Sequence, residues 1–424
     1  MNMLIKNTKI REREGRWDIL IDNGKIAEIE SSISDLPGVE TLDANGCLAI
    51  PPYVDSHCHL DYVGTYGDPE VNMTGTLFEG IRIWGERKKT ISKEDVKKRA
   101  RRVVKWEIAH GTQFIRTHVN TDEPGLISLE AMLEVKEEMK DLVDIQLVAF
   151  PQLGLLNFDR GLDLLEEAAK MGADALGAIP HFEDTREDAV NSLTKMFDLA
   201  EKYNKLIDVH CDETDDEQSR GVEVVANQAW KRGMGSRVTA SHTTAMGSYN
   251  NAYAFKLMSL LKRSGINFVS NPTINIHLQG RYDSYPRRRG ITRVDELLKA
   301  GCNVSMGCDD IMDPFYPLGA GNMLEVLNMG IHVCHLTGHA QMVNAVDMIT
   351  KNGAITLGKQ DVYGIDVGKP GNFNLLPAEN DYDLIRRMIK PIYSIRNGRI
   401  IVKRQPDIAK VLSGSSFEDV DCTI

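Results

Sequence analysis

Two imidazoles two residues apart, His57 and His59, sit in the segment Asp55-Ser56-His57-Cys58-His59-Leu60-Asp61 directly after an apolar run. In an extended chain, residues i and i+2 face the same side, so the pair can share one metal ion. A second apolar run, Ile207-Asp208-Val209-His210-Cys211-Asp212-Glu213, ends in His with a carboxylate three positions later. Residues i and i+3 of a straight strand face opposite ways, so His210 and Glu213 serve one site only if the chain turns after His210. The alternative is a capping carboxylate that opens the acidic stretch Asp212 to Arg220. Two more runs, Val238 to His242 and Val304 to Asp310, end in His242 and in the pair Asp309-Asp310. Each alone reads as ordinary structure. Together they are the imidazole and carboxylate donors of a mononuclear site for a borderline ion such as Zn²⁺ or Fe²⁺, and a position left open for water would make it catalytic.

These residues need a scaffold that brings strand ends to one rim. Between about Ala49 and Leu375 the chain alternates short apolar runs with helical patterns, which favours parallel β/α units. Eight strand-like runs are present: Leu48 to His57, Gln113 to Asn120, Ile145 to Gln152, Ala175 to His181, Leu206 to His210, Arg237 to His242, Ile266 to Pro272 and Asn303 to Gly307. Ser92 with Asp95 opens one intervening helix, and Gly111, Gly172, Gly233, Gly265 and Gly301 follow helical segments. Eight units make a (β/α)₈ barrel, with a six- or seven-stranded open sheet as the alternative. Polar residues gather where the runs end (His57, His59, His118, Gln152, His181, His210, His242, Asn271, Asp309, Asp310), as in barrel enzymes whose C-terminal strand ends build the site. At the two chain ends, Trp17 to Glu30 and Tyr393 to Lys403 each place Asn-Gly between alternating runs and read as tight hairpins. Short hairpins need a larger sheet. The expected division is therefore a small β domain from residues 1–48 plus 376–424, with the barrel inserted as 49–375.

Composition narrows the function class. The 61 acidic and 50 basic residues give a formal charge of −11, which argues against a nucleic-acid partner. The seven cysteines are odd in number and form no Cys-x-x-Cys pair, so a disulfide framework is not expected. Lys6 and Lys9 interrupt any leader-like apolar stretch at the start, and no window approaches the roughly 18 apolar residues of a membrane span. The expectation is a reduced, cytoplasmic protein without a membrane partner.

The order His-x-His, His-x-x-Glu, His and Asp on successive strand ends resembles the amidohydrolase superfamily and, within it, the bacterial cytosine deaminases. The resemblance covers almost the whole chain, including PPYVDSHCHLD, GTLFEGI, RTHVN, VAFPQ, GAIPHFE, LIDVHCDE, RVTASHTTAM, NIHLQGR, YPRRRGITRV and DDIMDPFYPLG. It implies an α/β fold, a distorted (β/α)₈ TIM barrel with a small β-sandwich domain, and hydrolytic deamination of cytosine in pyrimidine salvage. It further implies His57, His59, His210 and Asp309 as ligands of one divalent ion, Fe²⁺ or Zn²⁺. His242 would bond the hydrolytic water, Glu213 shuttle protons, and Asp309 accept the water's proton. Gln152 would read the pyrimidine edge, with Leu77, Asp310 and Phe315 as further substrate contacts. The implied partner is a small nucleobase, and the implied assembly a homo-oligomer.

Two positions depart from that pattern. Cys308 replaces a His before Asp309, and Phe315 replaces a Trp, which keeps an apolar wall while freeing space. Asp310, which in that pattern faces the C5 side of the ring, argues against bulky 5-substituents, so cytosine heads a group with 5-methylcytosine, isoguanine and creatinine; a metal-free scaffold and hydrolysis of a cyclic amide or N-alkyl triazine are the rival readings. His181-Phe182-Glu183 matches half of the nucleoside-deaminase zinc signature, but no Cys-x-x-Cys follows, so these residues are expected to shape the fourth strand's rim. No Lys near that strand's end is available for carbamylation, so one ion is expected. His332, His335 and His339 read as a packed or interface helix.

Overall fold

Proline decides where the barrel begins. Pro51 and Pro52 cannot donate to a strand ladder, so the run Leu48 to His57 forms two strands, Leu48–Ile50 and Tyr53–Cys58, in different sheets. In the computed structural model, which describes residues 2–405, 408–420 and 422, the chain divides into two compact units.

The larger unit comprises Val54–Glu107 and Thr112–Lys359. Its sheet is made of Tyr53–Cys58, Thr112–Asn120, Asp144–Phe150, Ala175–Leu176, Leu206–Cys211, Val238–His242, Asn267–Ser270 and Asn303–Met306, each hydrogen-bonded to the next in chain order. The first and eighth strands meet at one parallel bridge, Cys58 to Asp309, so the sheet closes into a barrel and the open-sheet alternative falls. Strands such as Thr112–Asn120 are buried along their whole length, as parallel strands must be when helices cover one face and the barrel interior the other. The fourth strand has only two residues, because Pro180 starts a 3₁₀ turn, Pro180–Phe182, that carries His181 off the ladder.

Local signals set the helix limits. The Ser92 hydroxyl accepts from the Asp95 amide at 3.3 Å, and the Asn250 side chain accepts from the Tyr253 amide at 2.9 Å. Each satisfies an otherwise orphaned N–H of a first turn. Gly265 and Gly301 end their helices in the left-handed conformation, φ 69° and 83°, which glycine adopts without a Cβ penalty.

The smaller unit comprises Met1–Tyr53, Ile108–Gly111 and Gln360–Ile424. Trp17–Asp22 pairs with Lys25–Glu30, and Tyr393–Arg396 with Arg399–Lys403, as antiparallel hairpins. Met3–Ile10 joins the two halves: its start pairs with Glu40–Asp43 and its end with Leu48–Ile50. A register shift around Asn7, which has φ 57°, bends this strand, as a bulge does. Both halves contribute to one core of Met3, Ile5, Ile19, Ile21, Phe373 and Leu375, among others. Phe373–Leu376 pairs antiparallel with Leu48–Ile50 and Tyr393–Arg396, which is why the chain from Gln360 onward groups here.

Candidate active site

The required turn after His210 exists. Asp212 stands in the left-handed region at φ 53° and uses both its oxygens to cap the helix Gly221–Lys231, accepting from the amides of Gly221 at 2.8 Å and Val222 at 2.7 Å. The capping carboxylate is therefore Asp212, and Glu213 is released toward the barrel mouth. His242 and Asp309 also end their strands at positive φ, 66° and 61°. Non-glycine residues pay for that conformation and concentrate it at functional sites.

Three strand ends bring His57, His59, His210 and Asp309 together, with one ligand atom from each lying within 4.8 Å of the others. Asp309 Oδ1 is 3.3 Å from His59 Nε2 and 3.5 Å from His57 Nε2, and the Nε2 atoms of His59 and His210 face each other across 3.1 Å. His57 Nε2 and Asp309 Oδ2 have no hydrogen-bond partner among the described residues. Burial pushes the His59 pKa down to about 4 and those of His210 and His242 well below the usual range. Burial alone would raise Asp309, but the facing His242 and His57 rings hold it below the ordinary carboxylate range. Neutral imidazoles and an ionised carboxylate with inward lone pairs are the donor set that a divalent cation takes.

Behind the ligands runs a chain of supports. His57 Nδ1 lies 2.9 Å from the Ser241 hydroxyl, which donates to Asp208 Oδ1 at 2.6 Å. Because Ser241 donates onward, it accepts from His57 Nδ1–H, which leaves the Nε2 lone pair free for a metal. Asp208 in turn takes Arg116 Nη1 at 2.9 Å. Ser241→Ala is expected to weaken metal binding by about 10-fold or more, read by competition with a chelator; unchanged affinity would remove Ser241 from the network. Sequence reading missed Ser241, Asp208 and Arg116. The available signal was period two: Asp208 precedes His210, and Arg116 precedes His118, on the same strand face.

Gln152, Leu77, Asp310, Phe315, Glu213 and His181 line one cavity of about 630 Å³ that also reaches His59, His210 and Asp309. Gln152 Oε1 accepts from Asn120 Nδ2 at 3.0 Å, which fixes the amide at the cavity wall. Phe315 packs with Tyr62, Trp84, Ile274 and Leu278. Burial, then the nearby Asp309, raises Glu213 well above the usual carboxyl range, and its Oε1 lies 3.4 Å from His242 Nδ1, which is itself 3.6 Å from Asp309 Oδ2. Asn275 Nδ2, 3.1 Å away, holds the His242 ring. His181 has a positioning contact, since its Nδ1 accepts from the Glu213 amide at 3.3 Å. Glu183 does anchor the rim, taking the amides of Leu155 at 2.8 Å and Leu156 at 3.1 Å.

His332 lies in the helix Met323–Val333, His335 follows it at φ 56°, and His339 opens a separate helix, His339–Asn344. The three are thus not on one helix face. No helix of the described residues is long and apolar enough to cross a membrane.

A 5-methylcytosine deaminase from Klebsiella pneumoniae, solved with 5-fluorocytosine, superposes with a TM-score of 0.93 at 48% identity, covering 96% of this chain and 98% of that one. The N-isopropylammelide isopropyl amidohydrolase of Pseudomonas sp. strain ADP is 29% identical over 96% of this chain and 99% of its own length. A pterin deaminase of Rhizobium rhizogenes is 28% identical over 92% of this chain and 89% of its own. The model of the amidohydrolase family matches residues 40–402. With that match spanning most of its length, the chain belongs to the amidohydrolase family.

Proposed function

We propose that this chain hydrolytically deaminates a cytosine-type aminopyrimidine, converting the exocyclic amine to a carbonyl with release of ammonia, and that 5-methylcytosine is preferred over cytosine. The observation that carries the reading is the meeting of Glu213 and Gln152, a buried acid and a fixed amide, in the cavity that reaches His59, His210 and Asp309 of the four-residue cluster. Those four residues would hold one Fe²⁺ or Zn²⁺, which when bound lowers the pKa of water from about 15.7 toward roughly 7.

The chain's own groups handle the protons. Gln152 orients the ring through its carbonyl and N–H edge. Asp309 takes the proton that the attacking water gives up. Glu213, whose carboxyl pKa is raised well above the ordinary range by burial, delivers a proton to the ring nitrogen beside the amine-bearing carbon, because a neutral aromatic ring resists attack unless that nitrogen is protonated as the carbon becomes tetrahedral. Glu213 can then recover a proton and pass it to the departing ammonia, with His242 between the two carboxyls.

The preference for a 5-methyl group rests on three supports. The 48% identical relative is a 5-methylcytosine deaminase. Phe315 leaves more room than the Trp of the cytosine deaminase pattern. Burial and the neighbouring Asp313 raise the Asp310 carboxyl well above the ordinary carboxylate range, while the amides of Ile311, Phe315 and Tyr316 donate to Asp313 at 2.9–3.0 Å. A carboxyl shifted toward its uncharged form tolerates an apolar neighbour.

The test is ammonia release from cytosine, 5-methylcytosine, isoguanine and creatinine, and isopropylamine release from N-isopropylammelide, by protein loaded separately with Fe²⁺ and Zn²⁺. The highest kcat/KM is expected for 5-methylcytosine. Turnover of the triazine alone would replace the reading, and silence on every compound with metal bound would end it. Phe315→Trp should lower kcat/KM for 5-methylcytosine relative to cytosine by about 10-fold, the scale at which one methyl group is discriminated in an apolar pocket; an unchanged ratio would remove Phe315 as the determinant.

A further inference from the structure

The barrel's seam is its thinnest point. Seven neighbouring strand pairs are joined as ladders, whereas the first and eighth strands share the single bridge Cys58 to Asp309. These two strands supply His57, His59 and Asp309. Beside the seam lies a second group of potential ligands that the deamination reading leaves unused: Asp55, Cys58 and Glu107, fully buried, offer ligand atoms within 4.8 Å of one another.

The chemistry of this group is unusual for a protein interior. Both Glu107 oxygens and Asp55 Oδ2 are buried without a hydrogen-bond partner among the described residues. Buried carboxyl groups normally find donors, because leaving them bare forfeits the hydration they had in water, most of all when charged. Among the described residues no Lys or Arg pairs with them; the His57 amide donates to Asp55 Oδ1 at 3.1 Å, and two thiols lie close by. The Cys308 amide donates to Asp55 Oδ1 at 3.0 Å, Cys308 Sγ lies 3.4 Å from Met323 Sδ, and Cys58 Sγ bonds the Arg116 carbonyl at 3.6 Å. The backbone passes close enough that a Cβ on Gly321 would come within 2.9 Å of Glu107 Cγ. That leaves the carboxyl little freedom to turn elsewhere.

We propose that Asp55, Cys58 and Glu107, with Cys308 beside them, form a second metal site for a borderline to soft divalent cation of the Zn²⁺ class. Thiolate and carboxylate together suit such an ion and disfavour Mg²⁺ or Ca²⁺. The ion would satisfy the bare carboxylate oxygens and cross-link the first strand to the helix Lys93–Ala109 that carries Glu107. Its role is structural: it anchors the strand that carries His57 and His59, on one side of the seam. The inference does not depend on which base or triazine the enzyme hydrolyses.

The two sites differ in their donors, and that makes the test specific. The catalytic cluster offers only nitrogen and oxygen, so it cannot give a sulfur-to-metal charge-transfer band. The full-length protein, freed of metal and titrated with Co²⁺, is expected to bind two ions per chain, with a near-ultraviolet sulfur-to-cobalt band appearing with one of them. Cys58→Ser and Glu107→Gln should each reduce the stoichiometry to one; Cys58→Ser should abolish the band while the visible cobalt bands of the nitrogen and oxygen site persist. One ion per chain with no near-ultraviolet band in the wild-type protein would overturn the proposal, and needs no variant to fold. A band that survives Cys58→Ser would also overturn it, by assigning the sulfur to another cysteine.

Discussion

Glu213→Gln is expected to lower turnover by roughly 100-fold or more while metal content stays at one ion in the catalytic cluster. Gln keeps the size and the carbonyl oxygen but cannot deliver a proton to the ring or return one to ammonia. Glu213 is not among the four clustered ligands, so metal binding and proton transfer separate in this variant. The pH profile supplies a second check. Because burial, then Asp309, raises the Glu213 carboxyl above its ordinary value, the required protonated form persists to higher pH than in a free carboxyl and is lost as pH rises through the raised pKa. An alkaline limb in kcat/KM should be present in the wild-type enzyme and missing in Glu213→Gln. Full activity in a metal-loaded variant would refute the role.

Arg116→Ala should be the most damaging single change to the larger unit, costing about 3–5 kcal/mol, the scale of breaking one side of a buried ion pair. The guanidinium is buried and reaches four partners: Gln146 Oε1 at 2.7 Å, Asp208 Oδ2 at 2.9 Å, Thr239 Oγ1 at 3.0 Å and the Thr356 carbonyl at 2.8 Å. Without it, Asp208 carries an uncompensated charge inside the barrel, and the orientation passed through Ser241 to His57 loosens. Urea denaturation should show the stability loss, chelator competition should show weaker metal binding, and adding Asp208→Asn should restore part of the stability because the two positions are coupled. A loss under 1 kcal/mol would mean that the interior does not depend on this pair.

Much of this was legible in the chain. Period-two and helical patterns, with their glycine and proline punctuation, set out eight strand-like runs and two terminal hairpins, because parallel strands buried on both faces read as nearly continuous apolar segments. The polar residues that close those runs marked the rim, and ordered motifs placed the chain in its family. Where strand limits shifted, proline was the reason: Pro51 and Pro52 split the first run, and Pro180 took His181 off the fourth strand.

Other features depended on atoms far apart in sequence. Whether Asp212 or Glu213 capped the following helix was settled by a left-handed turn at Asp212, which residue type permits but does not dictate. Arg116 meets Asp208 across 92 positions, and Cys308 meets Asp55 across 253; no local period encodes such pairs. The sequence by itself determined which residue types end each strand, since that information lies in neighbouring side chains and their spacing. Only the tertiary structure decided which of them share a site, which ring nitrogen is free and which carboxyl holds its proton to higher pH, because those properties follow from burial and from partners that barrel closure brings together.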